Sequence, residues 1–268
     1  MKDITLGQYY NVDSIIHALD PRTKLVLTFA YLILVFLVSK LWAFGLVALF
    51  AISIIYLSKV PFKMVLKALK PMRFLLVLMF LLNLFAAKSG EVLLKWWIFE
   101  ITAGGIRQAV FIVIRLLLLV AGTTLMTFTT TPISLTDGLE KLLAPLKKIG
   151  FPSHELAMMM TIALRFIPTL LEEADKIMKA QLSRGADLES GNIIKRAKSM
   201  IPILVPLFVS AFRRADELAM AMESRCYHGG EGRTKMRVIA FKKRDAIAFL
   251  IFASAFALIL VLQKLVVF

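Results

Sequence analysis

Two arginines stand out because the residues around them recur. Residues 174–185 read ADKIMKAQLSRG and residues 215–226 read ADELAMAMESRC. Ala174, Asp175, Ala180, Ser183 and Arg184 return as Ala215, Asp216, Ala221, Ser224 and Arg225, at a constant offset of 41 positions (225 − 184 = 41). The planar guanidinium makes bidentate, charge-assisted hydrogen bonds to carboxylate or backbone oxygens, a geometry that lysine does not reproduce. Ala, Met, Lys, Glu and Gln dominate both copies, so each reads as the last turns of a long helix that carries an arginine at its C-terminal tip. Capping is the competing reading for either copy alone: Gly185 is a natural residue just past a helix end, and a cation in the last turn favours the helix dipole. The second copy weakens that reading, because Cys226 is a poor cap while Arg225 remains in place. What the copies share is therefore the arginine, and two matched cationic tips predict docking onto something twofold.

Other chemistry is sparse. The G-x-x-x-x-G-K-[ST] loop that cradles nucleotide phosphates does not occur, and Gly104-Gly105 and Gly229-Gly230 are too isolated to serve as phosphate sites. His17, His154 and His228 lack ligand spacing and read as surface or capping residues. Glu172 and Glu173 are adjacent and point to different sides of a helix. The single cysteine excludes an internal disulfide and any multi-cysteine metal site. The chain reads as non-catalytic, with no cofactor or metal bound directly.

The elements that must position the arginines follow from composition. With 59% hydrophobic residues among 268 and a mean hydropathy of +0.78, this is an all-α polytopic membrane protein. Apolar runs at 25–39, 41–58, 72–87, 106–128 and 246–268 approach or exceed the roughly 20 residues a spanning helix needs, which predicts about five spans. Lys59, Lys63, Lys67, Lys70 and Arg73 between the second and third runs, and Arg233, Lys235, Arg237, Lys242, Lys243 and Arg244 before the last, place those segments on the cytoplasmic side; Lys40, Lys88 and Lys95 lie opposite. The N-terminus is then inside the cell membrane and the C-terminus outside. Trp96, Trp97 and Phe99 fit an outer aromatic belt. The charge of +15 flanks the spans, so its partner is anionic lipid and not nucleic acid. The polar first 24 residues contain no cleavable signal.

The chain divides into residues 1–128 with four spans, a cytoplasmic-side region 129–245, and the last span, 246–268. Three long amphipathic helices are predicted in the middle region. The first covers about 132–148, with Thr131 as N-cap, Pro132 at its first position and Gly150 beyond its end. The second runs from Ser153 to Arg184 and the third from about Asn192 to Arg225, with Pro168, Pro202 and Pro206 expected to bend them. Each of the longer two is apolar at its start and charged at its arginine end. They carry Met158, Met159, Met160, Met178, Met200, Met220 and Met222. Methionine either fills core gaps or builds an adaptable docking surface, and the cluster points to a groove for a partner, with Met158, Met159, Met160 and Met200 at its centre. Arg165 is costly in its apolar stretch unless paired, and Glu172 or Glu173 is the candidate partner.

HALDPRTKL (17–25), TTTPISLTDGLEKLLAPLKKIGFP (129–152), ALRFIPTLLEEADKIMKAQLSRGADL (163–188) and the second Ser-Arg copy resemble the transmembrane coupling subunit of energy-coupling factor transporters. The resemblance spans nearly the whole chain. It implies that Ser183-Arg184-Gly185 and Ser224-Arg225-Cys226 sit in grooves of two ATP-binding-cassette ATPases, with serine in place of the family's alanine in both motifs and cysteine in place of glycine in the second. It also implies that ATP and Mg²⁺ are bound by those partners, and that a separate small membrane protein captures a vitamin or metal substrate, with vitamin uptake the expected role. A secondary permease with its own substrate path, marked by Arg165, is the alternative, and co-purification of partners separates the two.

Overall fold

The computed structural model describes residues 9–86, 92–96, 99–187, 192–229 and 240–265. Trp97, Lys88, Arg233, Lys235 and Arg237, named above, lie outside the described residues. In chain order the helices are α1 (Pro21–Leu37), α2 (Leu41–Ser58), α3 (Phe62–Leu69), α4 (Arg73–Ala86), α5 (Ala103–Thr129), α6 (Pro132–Leu143), α7 (Ser153–Ser183), α8 (Ile193–Glu223) and α9 (Lys243–Leu265). Short 3₁₀ turns follow α3 at Lys70–Met72 and α6 at Ala144–Ile149. The chain divides into two compact units, one of residues 7–138 with 239–268 and one containing 139–238.

In the first unit, local chemistry sets the helix starts. Asp20 caps α1 by accepting from the Arg22 amide (2.9 Å), with Pro21 at the first helical position, and Thr102 caps α5 by accepting from the Gly105 amide (3.1 Å). α5 is the hub: it packs against α1, α2, α3 and α4, while α9 packs against α1 and α2. The main core joins Leu34 and Val35 of α1, and Val38 just past its end, to Phe44 and Val47 of α2, Leu118 of α5 and Phe252 of α9. A second cluster gathers Ile55, Val60, Val65, Leu125 and Phe128.

The architecture departs from the all-α expectation at one place. β1 (Val92–Trp96) and β2 (Phe99–Thr102) form an antiparallel hairpin before α5, with Trp96 opposite Phe99. Its VLLKW and FEIT sequences are rich in apolar, aromatic and β-branched residues that suit a strand.

Among the described residues, four helices are long and apolar enough to cross a membrane by length and composition: α2, α5, α7 and α9. Two of the five expected spans are shorter. The run at 25–39 is the 17-residue α1, and the run at 72–87 is the 14-residue α4, which Pro71 separates from α3 through a 3₁₀ turn. Conversely α7, expected on the cytoplasmic side, meets the length and hydropathy of a span.

At the end of the first unit, Thr131 caps α6 as expected by accepting from the Ser134 amide (3.2 Å); in the second unit, Gly150 ends the turn that follows α6 at φ +85°. α7 and α8 continue as helix through Pro168, Pro202 and Pro206 and pack against each other.

Candidate functional site

Both arginines occupy the same kind of helix end. After α7, the Gly185 amide donates to Leu182 O (3.0 Å) and the Ala186 amide to Gln181 O (3.0 Å). After α8, the Cys226 amide donates to Glu223 O (2.8 Å) and the Tyr227 amide to Met222 O (3.1 Å). These are the paired bonds of a Schellman motif, and all four positions are related by the offset of the sequence repeat. Gly185 has φ +82° and Cys226 φ +58°, so both lie in the left-handed region. The departure of Cys226 from the family's glycine puts such a turn in question, and here the backbone pairing holds it, with Cys226 carrying a conformational cost of about 1–2 kcal/mol that glycine avoids.

The serines face back into their own helices. Ser183 Oγ donates to Lys179 O (3.0 Å) and Ser224 Oγ to Ala221 O (3.1 Å). Arg184 and Arg225 are exposed just past the last helical turn, and neither is held by an ion pair among the described residues. Each tip therefore offers an uncommitted guanidinium on a turn whose backbone bonds are already satisfied.

Glu173 and Arg214 link the two helices, Arg214 Nη2 donating to Glu173 Oε2 at 3.2 Å. They are themselves 41 positions apart, so equivalent positions of the repeat meet each other, as a local twofold axis through that pair requires. Each arginine tip lies 11 residues beyond (184 − 173 = 11; 225 − 214 = 11), about 16 Å along its helix. Gln181 of α7 reaches Pro202 O of α8 (3.5 Å), so residue numbers rise in one helix as they fall in the other and the helices run in opposite senses. The two tips consequently point away from the crossing on opposite sides.

This arrangement separates residues that the sequence had grouped. Met200 lies next to the Gln181–Pro202 contact, whereas Met158, Met159 and Met160 stand 21 to 23 residues earlier on α7, about 30–35 Å along the helix. They do not form one groove. Met159, Met160 and Met200 are exposed and Met158 is half-buried. Met200 instead opens an outward apolar stripe on α8, with Ile201, Leu204, Val205, Phe208 and Phe212, whose helical spacing was readable but was overshadowed by the methionines. Arg165 is exposed, and Glu173, one of its candidate partners, is bound by Arg214.

Sequence reasoning also missed a buried polar cluster in the first unit. Asp245, 1% exposed, accepts from the Asp20 amide (2.8 Å) and from the Lys242 amide (2.9 Å), the second bond being half of a capping box that starts α9. Lys24 Nζ donates to Thr129 O (2.7 Å) and His17 O (3.1 Å). His17 is bonded rather than free at the surface, through Ser14 Oγ (2.7 Å) and Tyr10 O (3.0 Å); burial, and next the Lys24 cation, holds its imidazole below the ordinary value. His154 Nδ1 likewise sits 3.0 Å from Glu140 Oε1. Within the apolar α5, Arg115 Nη2 donates to Val38 O (3.0 Å) and the guanidinium lies over the Phe44 ring, partners that offset part of the cost of a charge in this helix, while the buried Nε has no hydrogen-bond partner. The lone acid in FKKRDAIAF and the lone cation in FIVIRLLLL were the available signals.

A family described as cobalt transport protein, CbiQ, matches residues 13–236, which include both arginine tips. The energy-coupling factor transporter transmembrane protein EcfT of Ruminiclostridium cellulolyticum is 55% identical over 247 residues, covering 92% of each chain. The chain belongs to this family. The protein of the same description from Thermosediminibacter oceani is 52% identical over 250 residues, covering 93% of this chain and 94% of its own, and that of Bacillus subtilis 49% identical over 245, covering 91% and 92%. As a member of the energy-coupling factor family, the chain is the transmembrane component of a transporter that assembles with other chains.

Proposed function

We propose that the chain is a transmission scaffold of an energy-coupling factor importer in the cell membrane. Two ATP-binding-cassette ATPases, carrying the ATP and Mg²⁺, hold the Arg184 and Arg225 tips in grooves. A separate small membrane protein captures the substrate, a vitamin in this reading, and rests on the outward apolar faces of α7 and α8. The observation that carries the proposal is the pair of matching left-handed turns, with exposed arginines disposed about the Glu173–Arg214 contact: a local twofold suits a pair of like subunits. When ATP draws the ATPases together, the tips follow, and the crossing helices pass that motion to the captured substrate. The basic flanks set the N-terminus inside and the C-terminus outside; a reporter fused after Phe268 should read outside, and an inside reading would mean that α7 or α8 crosses the bilayer.

The test is Arg184→Ala, Arg225→Ala and the double variant, assayed for ATPase co-purification and ATP-driven vitamin uptake. Truncating one side of a buried hydrogen-bonded charge contact costs about 2–5 kcal/mol. Each single variant should lose most uptake, lysine should restore it only in part, and the double variant should release both ATPases. Helix caps alone contribute less than about 1 kcal/mol, so near-normal values for all three variants would sink the coupling assignment.

A further inference from the structure

We propose that a groove between α1, α2, α5 and α9 holds one acyl chain of an anionic phospholipid, with Arg244 binding its phosphate. The groove has a volume of about 400 Å³, within the roughly 300–1,000 Å³ of small-molecule sites. Leu27, Tyr31, Ile54, Leu125, Ile251 and Phe252 are among its walls, and its charged lining is Lys24 and Arg244 alone among the described residues. It is pre-formed. Tyr31 Oη donates to Leu118 O (3.0 Å), and its ring occupies the space left by Gly122, where an added Cβ would fall 2.3 Å from the ring. That wall cannot swing in to fill the groove without breaking its hydrogen bond.

The two cations are not equivalent. Lys24 spends two of its three donors on the carbonyls of His17 and Thr129, and Asp245 and Asp20 offset its charge from behind. Arg244 is exposed, has no ion pair among the described residues, and follows Lys242 and Lys243 in sequence. A guanidinium at the rim of an apolar slot matches a phosphodiester with an attached hydrocarbon chain. Phospholipid is chosen over a soluble apolar ligand because the medium around spanning helices is hydrocarbon, and the rim lies at the basic ends of the spans where anionic headgroups are attracted.

The experiment uses the full chain in its purified transporter assembly, stripped of lipid in mild detergent, with native mass spectrometry after adding dioleoyl phosphatidylglycerol or dioleoyl phosphatidylcholine. One tightly held phosphatidylglycerol per chain is expected, and weaker retention of phosphatidylcholine. Arg244→Gln should weaken phosphatidylglycerol about fivefold, the order one basic residue contributes at an anionic surface, and weaken phosphatidylcholine less, because its own choline cation already offsets the phosphate. Ala248→Phe and Ser53→Phe, which fill the slot, should abolish retention of both; Ser53 is exposed, so its variant tests the slot even where Ala248→Phe misfolds. A photoreactive acyl chain should label residues 247–252. Equal retention of the two lipids, wild-type retention by Arg244→Gln or by Ser53→Phe, or labelling confined to other segments would overturn the proposal.

Discussion

Phe44 and Phe212 are phenylalanines on apolar helices, yet Phe44 is 1% exposed and Phe212 is 70% exposed. The contrast extends to their units. Among the described residues, the buried apolar side chains belong to residues 7–138 and 239–268, except for Ala157 and Ile203. The first unit buries a core and ties its helix ends with polar contacts: Asp20, Lys24 and Asp245 at one end, Arg115 and Gln263 on the Val38, Leu37 and Ser39 end of α1 at the other. The second unit consists of two crossing helices whose apolar faces are left outward. An exposed apolar face of that length marks an interaction surface or a lipid face. The difference teaches that the buried apolar core lies in one region and the outward apolar surface in the other.

The strongest way to break this contrast is at Asp245. Removing one partner of a buried charged contact typically costs about 3–5 kcal/mol, and Asp245→Ala would orphan the Asp20 and Lys242 amides and leave Lys24 with less compensation. A large fall in the thermal unfolding midpoint of the detergent-solubilised chain is expected. A change of under about 1 kcal/mol would mean that the core alone holds the first unit and that the polar cluster serves something else.

The converse test lies on α8. Phe208→Asp combined with Phe212→Asp should change the stability of the isolated chain by no more than about 0.5 kcal/mol per site, as for exposed positions generally. Burying each phenylalanine against a partner is worth about 1.5–3 kcal/mol, so the variant should lose the small membrane protein on co-purification while keeping the ATPases. A thermal loss rivalling that of Asp245→Ala would show that the stripe is already covered within the chain.

What the sequence made legible was local. Hydrophobic runs placed α2 at its observed bounds, Thr131-Pro132 marked the start of α6, and the repeated SR pairs marked the ends of α7 and α8, because caps and periodicity act over a few residues. Asp20 and Asp245 are 225 positions apart, and nothing in either neighbourhood announces the other. The sense in which α7 and α8 cross is equally invisible in composition. It decides that Met200 and Met158–Met160 lie apart, and that the start of each helix falls on the same side of the crossing as the arginine end of the other. The turn at Cys226 was left open for a related reason: residue preference speaks against it, but the 5→2 and 6→1 backbone bonds outweigh a preference of about 1–2 kcal/mol.

The smallest predicted effect sharpens a second comparison, between the two tips. An added Cβ at Gly185 meets nothing within 4 Å, so a side chain there is opposed by backbone conformation alone. Cys226→Gly should then stabilise its turn by about 0.5–1 kcal/mol, the relief of the left-handed strain less the greater freedom glycine has when unfolded. Gly185→Cys should cost a similar amount. Hydrogen exchange at the amides of Ala186 and Tyr227, the outer bonds of the two turns, reads both changes as a slowing at Tyr227 and an acceleration at Ala186 of up to about fivefold. ATPase co-purification adds the part that exchange does not see. If glycine is present at the first tip only for its φ, Gly185→Cys should weaken docking no more than the turn itself. If a partner's backbone presses against that position, docking should fall much further than exchange accelerates, while Cys226→Gly leaves the second ATPase in place. Equal, turn-sized effects at both ends would mark the tips as interchangeable, and a loss confined to the Gly185 variant would assign the tighter groove to Arg184.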